Sequence, residues 1–289
     1  NNVEMPRSSG YTTALRNIGS IRNSGFELQL DGRIIDRAVK WDLGVNFSLN
    51  RSKVLVLSED KDIFGGELDN TILKDQLNLM RVGEPMYVFY GYVEDGYDEN
   101  GHIVYKNMDD DPAITAADKT IIGDPNPDFL VNLTTAVSYK GFTLSAFFQS
   151  SIGNDIYSLS MAAQAYDYGY NGNTLREVYY NHWTLENPTA KYPNLDQTSY
   201  KMSDRFVYDG SFVRLKNLEL AYDVPCARNK FIKRARVYVS AQNLFTITSY
   251  PFWDPDINAN GGGSSMIQGV DSYCYPSART YTIGCRLTF

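Results

Sequence analysis

Hydrophobic and polar positions alternate strictly along much of this chain. The clearest stretch begins at Val39. Trp41, Leu43, Val45, Phe47 and Leu49 share one side, and Asp42, Gly44, Asn46, Ser48 and Asn50 share the other. A helix would scatter these two sets around its axis, whereas a strand separates them cleanly. The pattern recurs. Phe26, Leu28 and Leu30 oppose Glu27, Gln29 and Asp31. Phe129, Val131, Leu133, Thr135, Val137 and Tyr139 oppose Asn132, Thr134, Ala136 and Ser138. Phe142, Leu144, Ala146 and Phe148 oppose Thr143, Ser145 and Gln149, with Phe147 out of phase. Val237, Val239 and Ala241 form another set, and Tyr281, Ile283, Cys285, Leu287 and Phe289 the last. Residues 211–222 alternate less regularly: Leu218, Leu220 and Tyr222 agree, Leu215 does not, and a bulge near Lys216 is expected.

Seven strands follow from this pattern, and the links between them alternate in length. Residues 36–38, 140–141 and 224–234 are short links. Residues 51–128, 150–210 and 246–277 are long loops. Short turns on one side and long loops on the other are the layout of an outer-membrane β-barrel. The strands approach the roughly 9–11 residues needed to cross a bilayer at a tilt. The fold class expected is therefore all-β, a portion of a transmembrane antiparallel β-barrel with long extracellular loops. Seven half-apolar strands leave open edges that a bilayer does not tolerate, so further strands are required. Within the loops, 86–97 suggests a hairpin and 175–183 a short helix; elsewhere they show turn residues rather than helical patterns.

The chain has 289 residues, of which 22 are Tyr, 14 Phe and 3 Trp. Its net charge is −7 and no basic block appears, so nucleic acid is not an expected partner. Mean hydropathy is −0.35, and no apolar run approaches the roughly 18 residues of a membrane helix. The first residue is Asn1 and no signal peptide precedes the strands, so Asn1 is expected to be an internal point of a longer chain. Cys226, Cys274 and Cys285 are expected at three different heights, periplasmic, extracellular and mid-barrel facing lipid, with no disulfide.

Chemistry-bearing residues are few. The two histidines, His102 and His182, have no metal-type partner at helical spacing, and no nucleophile or phosphate-loop motif occurs. The chain is accordingly not expected to be an enzyme, and no cofactor is required. Asp109, Asp111 and Asp118 form a weak candidate for Ca2+, against an ordinary solvated acidic loop. Asp98-Glu99-Asn100-Gly101 matches only part of a calcium loop. Tyr166, Tyr168, Tyr170, Trp183 and Trp253 are candidate loop aromatics for contact with substrate or partner, through stacking and hydroxyl hydrogen bonds; the competing expectation is that they pack the loops together. Tyr90, Tyr92, Tyr139, Tyr222 and Tyr281 are expected in an interfacial aromatic girdle.

Several segments, in order, resemble one family. Residues 17–27 (NIGSIRNSGFE) are similar to the start of a late barrel strand in SusC/RagA-type TonB-linked outer-membrane proteins. The resemblance continues through Trp41 to Asn50 with Val54, IGDPNP at 122–127, YKGF at 139–142 and HWTLENP at 182–188, where Leu185 replaces a proline. It runs on through DGSFVRLKN at 209–217 with Pro225, QNLFT at 242–246 and YPSART at 275–280. The acidic loop departs from the family's glycine-containing turn. The resemblance covers the C-terminal part of that family, with the plug domain absent from this chain. It implies a barrel segment in the outer membrane of a Gram-negative bacterium. It further implies import of oligosaccharides or peptides with a SusD-like surface lipoprotein, energised by TonB through the missing N-terminal region. Phe289 with Tyr281 resembles the terminal-strand signal read by the barrel-assembly machinery. Two rivals remain: a structural barrel component of a larger outer-membrane complex, and a secreted all-β glycan-binding domain.

Overall fold

The computed structural model describes residues 2–4, 13–15, 19–58, 61–69, 73–166, 173–226, 231–257 and 267–289, with side chains from residue 19 onward except at 69. Seven antiparallel strands form one sheet: β1 (Ser20–Asp36), β2 (Val39–Val56), β3 (Phe129–Tyr139), β4 (Phe142–Ile152), β5 (Phe212–Val224), β6 (Arg234–Thr248) and β7 (Thr280–Thr288). They lie side by side in chain order, an up-and-down meander with β1 and β7 at its edges.

Register carries the sequence alternation across the whole sheet. Ile35, Trp41, Val137, Leu144, Leu220, Val239 and Ile283 are successive cross-strand partners, one from each strand. Several of these are strongly exposed, Ile283 at 87%. On the other face Gln29, Asn46, Asn132, Gln149, Arg214 and Thr246 form a polar row across the first six strands. One apolar and one polar face on every strand is the pattern of a membrane barrel wall. Phe147, the residue out of phase, lies on the polar face between Thr134 and Asn217.

Local chemistry sets the turns and bulges. Lys140 and Gly141 both have positive φ, 46° and 89°, the two-residue turn whose twist matches a hairpin. The expected bulge is present: Phe147 pairs with Asn217 and Phe148 with Leu215, leaving Lys216 unmatched. The β5–β6 ladder slips at the same height, where Asn243 sits at φ 51°. Gly284 faces Tyr238, whose ring would lie 2.5 Å from a Cβ at that position, so the tyrosine covers the bare backbone.

The strands are longer than the alternation suggests. β2 continues past Asn50 to Val56, with β1 paired beside it. The run Arg51-Ser52-Lys53 breaks the apolar pattern because there the strand no longer presents an apolar face, yet its backbone ladder is unchanged. β4 and β6 likewise run on to Ile152 and Thr248.

The long loops form a second layer with its own core. Leu68, Leu73, Leu77 and Phe89 from the first loop pack with Tyr157, Leu159, Tyr192, Met202 and Phe206 from the second and Ile267 and Val270 from the third. Nearly all the fully buried large side chains lie here, not on the sheet. The expected hairpin at 86–97 is not formed. Val88–Gly91 pairs instead with Asn78–Met80 and Thr120–Gly123, and Glu94–Tyr97 pairs with Ile103–Tyr105. An α-helix, α1 (Leu159–Tyr166), was not expected; all its residues but Gln164 are buried, so no amphipathic period marks it. The expected short helix appears as α2 (Arg176–Tyr180).

Candidate functional site

The polar face of the sheet meets the loop layer at Arg214 on β5. Its side chain is 2% exposed. The guanidinium pairs with Asp254 and lies 3.3 Å from Asp256. Its Nε donates to Thr246 Oγ1 at 2.9 Å, and Ser277 Oγ is 3.3 Å from another nitrogen. Asp254 also accepts from the amides of Ser277 and Asp256, each at 2.9 Å. Burial opposes the charge on Asp254, but these amides and the guanidinium outweigh it and hold the carboxyl below its usual range. One buried cation thus ties the segment 253–257 to the start of the last strand. Two clefts flank this strap. One of about 340 Å3 is lined by Arg214, Asn243, Trp253, Ser277 and Arg279, among others. The other, about 240 Å3, includes Asn132, Gln149, Phe212 and Asp256.

Further ion pairs hold the loop layer together, between loops and within the first one. Arg205 from the second loop grips Glu94 of the first, and its guanidinium also reaches Tyr97 Oη at 3.1 Å. Lys119 meets Asp75 at 2.5 Å. Tyr250 Oη donates to Asp271 at 2.6 Å and lies 2.8 Å from Ser158 Oγ. Both chemistry and burial mark a rigid layer, not loose connections.

The candidate aromatics separate. Tyr166 is buried, stacked on Tyr200 with ring centroids 3.7 Å apart. Trp183 is buried over Gly101, whose added Cβ would sit 2.3 Å from the indole. Tyr166 therefore belongs to the loop core and Trp183 packs on the backbone at Gly101, so both are buried, which corrects the expectation of contact. Trp253 is 57% exposed and stacked on Phe252. Tyr168 and Tyr170 lie outside the described residues. The girdle is also revised: Tyr139 and Tyr222 flank the short turns, with Tyr222 packed on Phe142 at 4.5 Å. Tyr281 is 70% exposed on the apolar face. Tyr90 and Tyr92 belong to the loop layer, and Tyr92 is buried in its core.

Asp109, Asp111 and Asp118 do not converge. Asp118 accepts from the amides of Met108 and Thr115, both at 2.7 Å, and these hold its carboxyl below the ordinary range. Asp109 and Asp111 accept from the amides of Asp111 and Ala113. Among the described residues no group of three or more His, Cys, Asp or Glu side chains is arranged to hold a metal. The three cysteines are free thiols, and Cys285 is exposed.

Known proteins resolve what this architecture is. No protein-family model matches the chain. TonB-dependent receptor P3 of Formosa agariphila is 31% identical over 99% of the chain and 30% of its own length. TonB-dependent receptor SusC of Bacteroides thetaiotaomicron is 28% identical over 100% of the chain and 28% of its own length. The solved RagAB peptide transporter superposes with a TM-score of 0.79 over 99% of the chain, at 26% identity, and 31% of that structure is covered. The chain is a SusC/RagA-like barrel segment. It spans about a third of the length of the curated relatives it matches. The RagAB importer in its open-open state matches nearly as well, with a TM-score of 0.77 at 27% identity. In this SusC/RagA-like segment the apolar row is the face that such barrels turn to lipid, and the Arg214 row is the face turned to the lumen. Arg214 itself lies in the quoted segment 209–217, but its partners are at 254, 256 and 277, and no local signal links them.

Proposed function

We propose that this chain supplies strands and outer loops to a TonB-dependent importer in the outer membrane of a Gram-negative bacterium. The protein is a transporter and not an enzyme. The observation that carries this reading is the likeness over the whole chain to SusC- and RagA-type receptors, joined to an uninterrupted apolar row on all seven strands. The remaining strands close the barrel at the β1 and β7 edges, and a plug within it couples to TonB. The loop layer faces outward, where a SusD-like surface lipoprotein acts as partner. The cargo is oligosaccharide or peptide, the chemistry of an exposed Trp253 beside polar clefts suiting either. Tyr281 and Phe289 serve the assembly machinery as an aromatic terminal-strand signal. A secreted glycan-binding sandwich would bury the apolar row under a second sheet, and the described residues place none there.

The test is expression of the full-length protein in its own host with an affinity tag. The expected result is extraction from the outer membrane by detergent only, with a surface lipoprotein co-purifying, and loss of growth on one cargo class when the gene or TonB is deleted. Recovery in the soluble fraction overturns the reading. Co-purification with a large structural assembly and no growth defect favours the structural-component alternative.

A further inference from the structure

The cleft between the strap and the start of β7 contains two groups that the fold leaves unspent. Trp253 presents an exposed indole, and its stacking on Phe252, with centroids 4.7 Å apart and planes 18° from parallel, fixes its orientation. Arg279 lines the same cleft, is exposed, and among the described residues has no carboxylate within ion-pair reach. Asn243 lines it too. Its role there is structural: Nδ2 donates to Ala278 O at 2.9 Å, its Oδ1 is buried away from the cleft, and its left-handed backbone, φ 51°, is one that Asn adopts readily. The opposite wall is Arg214, whose charge is already neutralised by Asp254 and Asp256. Among the described residues lining the cleft, the only uncompensated charge is therefore that of Arg279. Its volume, about 340 Å3, falls at the lower end of small-ligand pockets, roughly 300–1,000 Å3.

We infer that this cleft is a binding subsite for an acidic sugar residue of an oligosaccharide. The sugar's C–H face lies on the Trp253 indole, and the carboxylate of a uronic acid takes the Arg279 guanidinium. The two groups answer two parts of one ring, an apolar face and an anion. A peptide carboxylate would use Arg279 alone and leave the flat indole face with less to do. The inference rests on the import reading above, since it places the subsite on the lumenal face of the barrel. The walls are preorganised, because the Arg214 node fixes both the strap and Ser277 before any ligand arrives.

The test uses the full-length transporter purified in detergent, with calorimetric titration of trigalacturonate, neutral maltotriose and triglutamate. Trigalacturonate is expected to bind. Arg279→Gln should weaken it by about tenfold or more, since a charge-assisted bidentate contact is lost. Arg279→Lys, which keeps the charge, should retain more of the affinity than the glutamine variant. Trp253→Ala should weaken trigalacturonate through loss of the stacking face. Raising the salt should weaken trigalacturonate alone. Heat-modifiable gel mobility checks that each variant is folded; if Arg279→Gln does not fold, the Arg279→Lys variant and the salt series decide. Absence of trigalacturonate binding, indifference to Arg279, or Arg279-dependent binding of triglutamate in its place overturns the inference. TonB-dependent uptake of a peptide mixture and co-purification of the lipoprotein are measured in parallel. Their persistence without trigalacturonate binding sinks the subsite and leaves the import reading standing.

Discussion

At the scale of single residues, Arg214 shows how a buried charge is made tolerable. A guanidinium at 2% exposure would be prohibitive alone, and here two carboxylates and two hydroxyls share it. Removing one partner leaves the other charge buried without compensation. Arg214→Ala is therefore expected to destabilise the junction by about 3–5 kcal/mol, read as a lower urea midpoint of the detergent-solubilised protein and faster proteolysis within 250–277. Asp254 adds a pH dependence of definite sign. Its folded pKa lies below the unfolded value, which is about 3.9 for aspartate. Its contribution is thus complete above that value and is lost as pH falls through the lower folded one. Acid melts of the wild type and Asp254→Asn should converge at the acid end and diverge above it. The sequence made Arg214 visible as part of a motif but concealed its burial, because nothing local distinguishes an exposed strand arginine from one capped by a loop forty residues away. Trp183 and Tyr166 show the converse: for an aromatic in a polar loop the sequence left ligand contact and loop packing both open, and burial in the folded loop layer decided for packing.

At the scale of elements, the two-residue turn at Lys140–Gly141 and the bulge at Lys216 were both legible. Each has a local cause: a left-handed glycine and a break in alternation. Gly141 sits at φ 89° with the Tyr222 ring 3.1 Å from a Cβ position. Gly141→Val should cost about 1–3 kcal/mol through backbone strain, while Lys140→Asn, better suited to left-handed φ, should be neutral or slightly stabilising. Equilibrium unfolding of the two variants checks the pair. The helix Leu159–Tyr166 was not legible. Its Ala and Met residues are buried on nearly every side, so the periodicity that marks a surface helix is missing. The split of the 86–97 segment between two small sheets was also hidden, since which strand it joins depends on Asn78–Met80 and Thr120–Gly123, fixed only in three dimensions.

At the scale of the whole molecule, two layers obey opposite rules. The sheet exposes its apolar residues and the loop layer buries its own. Leu220→Arg, in the middle of the apolar row, should reduce folding into the outer membrane by about 2–4 kcal/mol, whereas Ser240→Arg on the polar face should leave it intact; the folded fraction by heat-modifiable mobility compares them. Phe206→Ala should loosen the loop core by about 3–5 kcal/mol, seen as loop proteolysis at a temperature where the barrel remains folded. The sequence by itself determined the strand set, its two faces, the order of short and long links and the family likeness. All of these follow from period-two alternation or from contiguous motifs, which act between neighbours in the chain. Only the tertiary structure decided how far the strands extend, which tyrosines are buried, that the acidic loop spends its carboxylates on its own amides, and that Arg214, Asp254 and Ser277 meet. Those outcomes depend on side chains distant in sequence competing for the same space and the same hydrogen bonds, and no local pattern encodes the winner.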